Sequence, residues 1–108
     1  MLLKKNRADR KAVEEIFKKG KTINLSSLAF KFILINNHNF PCVSFIAPKN
    51  IAKLAVQRNL LRRKGYSILK KYINQFPSNI SGIFIFKKYQ EDVLIIENEI
   101  KNILSKIN

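Results

Sequence analysis

This sequence predicts an α+β fold, a two-layer sandwich in which a small sheet has helices packed against it. Three observations lead there. Stretches of helical and strand period follow one another in the order α-β-β-α-β-α. At 108 residues the chain has room for one modest core, so residues 1–108 are expected to form a single domain. An apolar fraction of 46% is ordinary for a globular chain and argues against disorder, even with a net charge of +14.

Each element has its own warrant. Residues 8–19 read as a first helix, with Val13, Ile16 and Phe17 at helical spacing and Gly20 as the stop. Asp9 is placed to cap it, and Glu14 and Glu15 lie early in it, as the helix dipole prefers. Residues 28–36, LAFKFILIN, alternate Leu28, Phe30, Phe32 and Leu34 against Ala29, Lys31 and Ile33, the pattern of a strand. NNHNFP follows as a turn, residues 42–47 (CVSFIA) return, and Pro48 ends the second strand, so a β-hairpin is expected.

A long helix is predicted from about Ile51 to Tyr72, with Leu54, Leu61, Gly65, Ile68 and Tyr72 aligned as its core stripe. Gly65 costs such a helix roughly 1 kcal/mol against Ala, and close packing on a strand would account for it. FPSNISG is the next loop, and Ile83 to Phe86 reads as a buried strand. The last helix, about Glu91 to Ile107, carries Val93, Ile96, Ile100, Ile103 and Leu104 on its apolar side.

The charge is unevenly placed. Residues 16–90 hold no Asp or Glu, yet 14 of the 21 basic residues lie there. A folded cationic segment without local counter-charge calls for an external polyanion: RNA, DNA or an anionic membrane. No apolar run approaches the roughly 20 residues needed to span a bilayer, and MLLKKNRADR lacks the apolar stretch of a signal peptide. Nor does a helix-turn-helix pair with a short turn appear, which disfavours DNA. A lone Cys42 cannot staple the fold and suits a reducing compartment. It reads as a small buried residue, and His38 as a polar turn residue.

Three of the five Arg fall within six residues, Arg58, Arg62 and Arg63, with Asn59 among them. Opposite the core stripe lie Asn59, Arg62, Arg63, Tyr66 and Lys70, with Arg58 at its border. Arginine offers a planar fork for phosphates or bases, and Asn adds a donor and acceptor suited to a 2′-hydroxyl or a base edge. A solvated helix face with Arg chosen for helix propensity is the bland alternative; the acid-free surroundings favour a site.

The stretch PKNIAKLAVQRNLLRRKGY resembles the signature helix of the bacterial ribonuclease P protein subunit, A-x-x-R-N-x-x-[KR]-R, filled by Ala55, Arg58, Asn59, Arg62 and Arg63. Lys49 and Lys53 stand in the basic lead-in. At the N-terminus, Lys4, Lys5, Arg7 and Lys11 precede a helix with Phe17 and Gly20 in the family's F-x-x-G arrangement, so the likeness spans nearly the whole chain.

The resemblance implies a cytoplasmic protein subunit of an endoribonuclease whose catalysis resides in its RNA. That RNA removes the 5′ leader of precursor tRNA with Mg2+ held mainly by RNA phosphates. It also implies a left-handed β-α-β crossover, against the general handedness rule. By position, Lys49, Lys53, Arg58, Asn59, Arg62, Arg63 and Lys70 would face ribonuclease P RNA. The leader of precursor tRNA would cross a cleft between the sheet and the first helix, bordered by Phe17, with Lys31, Phe30 and Phe32 as further candidates. Two arrangements stay open: Phe30 and Phe32 in the core with Lys31 alone exposed, or both rings forming a stacking surface.

The chain departs from the family in Val13, where a second Phe is common, in Gly65-Tyr66 for Leu-Arg, and in Pro48 and Asn50 within a usual Ser-Lys-Lys run. A structural RNA-binding protein, such as a small ribosomal protein with a related sandwich, is the alternative reading.

Overall fold

In the computed structural model, residues 10–34 and 41–107 are described. Helix α1 (Arg10–Lys19) is followed by strands β1 (Lys21–Asn24), β2 (Leu28–Leu34) and β3 (Cys42–Ile46). Helix α2 (Ala55–Tyr72) runs into a 3-10 turn at Ile73–Gln75, and β4 (Ile80–Phe86) and α3 (Val93–Ile107) complete the order. The sheet is mixed, in the order β1-β2-β4-β3. β1 with β2 and β2 with β4 are antiparallel, whereas β3 and β4 are parallel.

The expected hairpin between residues 28–36 and 42–47 is therefore corrected: β4 lies between the two strands. The reason is in β4 itself, ISGIFIF, which is buried along nearly its whole length on both faces and so takes a central place. A parallel partner needs a crossover rather than a tight turn, and α2 supplies it between β3 and β4. β1 is an addition to the expected order. Its sequence KTIN has one apolar residue, Ile23, set opposite Phe30, and the rest of this edge strand is exposed.

One face of the sheet carries the main core. Phe30, Phe84 and Phe45 lie in register across β2, β4 and β3, with ring centroids 4.5 Å apart for Phe30–Phe84 and 5.0 Å for Phe45–Phe84. Gly82 makes this row possible, because a Cβ there would stand 2.5 Å from Cζ of Phe30. Leu61, Ile68 and Leu69 of α2 and Ile96, Ile100, Ile103 and Leu104 of α3 close over the rings. Helix α1 lies on the other face, where Ile16 is fully buried.

Two stripe residues are corrected. Leu54 is 60% exposed and Val93 is 44% exposed. α2 starts only at Ala55, since Ile51 and Ala52 donate their amides to the Pro48 carbonyl in a turn before it, which leaves Leu54 as a helix cap. Val93 opens α3, whose first turn precedes the packed part. Leu61, Gly65 and Ile68 are buried as expected, as is Cys42. Asp9, His38 and the basic residues Lys4, Lys5 and Arg7 lie outside the described residues.

Candidate nucleic-acid interface

Gly65 fixes how α2 sits. A Cβ at this position would be 2.7–2.8 Å from three carbons of the Phe45 ring, so only glycine lets the helix lie directly on β3. Next to it the Tyr66 hydroxyl accepts a hydrogen bond from the Phe45 backbone amide at 3.1 Å, and the two rings meet edge to face at 5.3 Å. Tyr66 thereby satisfies a backbone donor of the edge strand β3. Tyr66 thus covers the sheet side of the helix and also borders the cavity described next.

With the inner face of α2 pinned, its outer face is set. Asn59, Arg62, Arg63 and Lys70 are exposed, and Arg62 donates from Nη2 to Oδ1 of Asn59. Asn59, Arg62, Arg63 and Tyr66 line a cavity of about 360 Å³. Lys49 and Lys53 are exposed in the segment leading into the helix. The first turn of α2 contains no acid, and its cap interaction is neutral: Gln57 Oε1 accepts from the Leu54 amide at 3.4 Å. Cationic side chains thus surround the positive end of a helix dipole, a field that suits phosphates.

Arg58 differs from its neighbours. It is half-buried, and its Nη1 donates to the carbonyls of Ala52 at 3.0 Å and Lys53 at 2.8 Å. Lys64, not singled out from the sequence, donates to the Glu91 carbonyl at 3.1 Å and ties α2 to the start of α3. Its signal was only one more positive charge in a basic run.

On the opposite sheet face, Phe17 is 48% exposed and Lys31 Nζ stands 5.2 Å from the centre of its ring. Phe30 and Phe32 are corrected as members of this second site. Phe30 is fully buried, and Phe32 packs on the main core, stacked on Phe30 at 5.4 Å. Alternation along β2 turns both rings to the face of α2 and α3 and turns Lys31 to the face of α1. Of the two arrangements left open, the structure is nearer the first: Phe30 lies in the core and Phe32, half-buried, packs against it, on the face opposite Lys31.

Among the described residues, no three or more His, Cys, Asp or Glu side chains come together as a metal site. Among them too, no helix is long and apolar enough to cross a membrane.

The family model for ribonuclease P matches residues 3–108. The chain belongs to the ribonuclease P protein family. Its place there makes it an RNA-binding protein component of the tRNA-processing endoribonuclease, whose metal ions are generally carried through RNA. Solved structures agree in fold. The ribonuclease P protein of Thermotoga maritima is 19% identical with a TM-score of 0.81, covering 94% of this chain and 97% of that one. The same protein in complex with 1-(4-fluorophenyl)-2-thiourea gives 20% identity and a TM-score of 0.79, covering 92% and 96%. That of Staphylococcus aureus is 17% identical with a TM-score of 0.78, covering 94% and 95%. At these identities the likeness is one of fold alone. Among curated proteins none matches significantly.

Proposed function

We propose that this ribonuclease P protein docks on ribonuclease P RNA through the outer face of α2 and its lead-in, with Lys49, Lys53, Asn59, Arg62, Arg63 and Lys70 toward the RNA. Arg58 stands behind this surface, bonded to the Ala52 and Lys53 carbonyls of the lead-in. The 5′ leader of precursor tRNA passes over the face that holds Phe17 and Lys31. The observation that carries this reading is the cavity of Asn59, Arg62, Arg63 and Tyr66 inside a basic face that has no acid in its sequence neighbourhood. Two forks and an amide there can grip phosphates and a 2′-hydroxyl together. Phe17 offers one ring face for a leader base, a contact worth roughly 1–3 kcal/mol where stacking occurs. Bond cleavage belongs to the RNA, in the cytoplasm, with Mg2+ held mainly by RNA phosphates. The protein's part is to hold two polyanions close together.

Reconstitution tests the reading. Added to a bacterial-type ribonuclease P RNA with precursor tRNA at low magnesium, the protein is expected to raise 5′ cleavage well above that of the RNA alone. No enhancement would refute the proposal. Arg62→Ala combined with Arg63→Ala is expected to weaken binding to the RNA and to lower the slope of log affinity against log salt by about 1–2. An unchanged slope would remove those side chains from the phosphates.

A further inference from the structure

Arg58 heads the signature of the basic helix, yet its guanidinium is turned away from the outer face. Nη1 reaches back over the helix start to the Ala52 and Lys53 carbonyls, at 3.0 and 2.8 Å. Those carbonyls belong to a short, tightly folded segment. Its near end is closed by the Ile51 and Ala52 amides on the Pro48 carbonyl, both at 3.2 Å. Its far end is closed by Gln57, through the Leu54 amide to Oε1 and through its own amide to the Leu54 carbonyl. Ala52 is 2% exposed and anchors the segment in the core, while Lys49 and Lys53 on either side point into solvent. A carbonyl pair at a helix start repels further acceptors and attracts a fixed cation, so one Arg nitrogen bonded to both sets the course of the chain through Lys53.

We infer that Arg58 is a positioning residue that acts on RNA through Lys49 and Lys53. It fixes the Pro48–Leu54 segment so that both ammonium groups meet the polyanion together. The inference rests on the docking surface proposed above and assigns one of its signature arginines a different task. Without the clamp the two lysines keep their charge but lose their placement, and each samples many orientations before binding.

Two measurements decide it. In the free protein, hydrogen exchange of the Ile51 and Ala52 amides is expected to speed up about tenfold or more in Arg58→Ala, because the closed segment opens locally. Amides of β4 should remain protected, which shows that the fold is retained. Unchanged exchange at Ile51 and Ala52 would overturn the inference.

The second measurement is a double-mutant cycle for affinity to ribonuclease P RNA, using Arg58→Ala, the pair Lys49→Ala/Lys53→Ala, and all three changes together. If Arg58 acts through the lysines, the triple variant binds within about twofold of the lysine pair, since the clamp then has nothing to present. If its loss adds in full to that of the pair, Arg58 touches RNA itself and the inference falls. Arg62→Ala/Arg63→Ala is measured alongside. Loss of affinity there with full additivity in the cycle sinks only the Arg58 inference. No loss there sinks the docking surface itself.

Discussion

Replacing Glu99 tests what holds α3 to the sheet. Glu99 is 7% exposed, and its Oε1 accepts from the backbone amides of Ser27 at 2.9 Å and Leu28 at 3.1 Å. Its Oε2 is buried and has no hydrogen-bond partner among the described residues. In Glu99→Ala both amides at the start of β2 lose their acceptor inside the fold. Each buried N–H left unsatisfied costs roughly 1–3 kcal/mol, so the pair gives about 2–6 kcal/mol. That is a large share of the roughly 5–15 kcal/mol that holds a small domain together. Glu99→Gln keeps a carbonyl oxygen at Oε1 while it loses the charge and sets an NH2 in place of the unbonded Oε2, so it is expected to lose clearly less than Glu99→Ala. Both variants remove one acid from a chain of net charge +14, so the added self-repulsion cancels in their comparison. Urea unfolding followed by circular dichroism gives the two free energies. Equal losses for Ala and Gln would refute the Oε1 acceptor as the source of the stability. A loss below about 1 kcal/mol for Ala would show that the two amides find another partner.

Gly65→Ala gains about 1 kcal/mol of helix propensity but sets a methyl 2.7 Å from Phe45 Cε1, an overpacking cost of roughly 1–3 kcal/mol, so a net loss of up to about 2 kcal/mol is expected in urea unfolding. A stabilised variant would refute the close approach of α2 to β3. Tyr72 donates to Glu97 Oε2 at 2.7 Å, and this bond, helped by Lys71 and Lys101, holds the Glu97 carboxyl below its ordinary range while it raises the Tyr72 phenol. The Glu97 contribution to stability is therefore present above the ordinary carboxylate value and lost as pH falls through the lowered one; the Tyr72 contribution is present below the ordinary phenol value and lost as pH rises through the raised one. The gap in melting temperature between parent and Tyr72→Phe should shrink at both extremes, and a gap constant with pH would refute the coupling. Phe17→Ala is expected to weaken precursor tRNA binding more than mature tRNA binding in the assembled enzyme, by about 1–3 kcal/mol if one base stacks there. Equal losses would exclude a leader role.

Period alone made the inner face of α2 legible. Leu61, Gly65 and Ile68 recur at helical spacing, and all three are buried. The same period misled at Leu54, because spacing extends past a helix start whereas the turn on the Pro48 carbonyl does not. Strand order was not legible from neighbouring strands. The pairing of β3 with β4 spans the whole of α2, and only the two-sided burial of β4 hinted at a central place. In β2 the alternation correctly separated Lys31 from Phe30 and Phe32, but it could not say which side held the core; the rings of β3 and β4 decide that. Of the basic cluster, sequence showed the concentration of charge and its helix face. It could not show that Arg58 turns back on two carbonyls, although its place at the border of the core stripe was the clue.

Where the acids go explains why the cationic face stays uncompensated. All four acids after residue 90 bond within or beside α3. Glu99 holds β2, and Glu97 takes the Tyr72 hydroxyl. Glu91 accepts from the Tyr89 hydroxyl at 2.5 Å, while Asp92 Oδ1 accepts from the Leu94 amide at 2.9 Å at the start of α3. Each fastens local structure; only Glu97 reaches α2, at its last residue Tyr72, away from Asn59, Arg62 and Arg63. An acid placed four residues from Arg62 or Arg63 would have stabilised the helix by a few tenths of a kcal/mol. It would also have cancelled about one phosphate contact. These four carboxylates fix the scaffold and leave the outer charge of α2 open for the RNA contact proposed above.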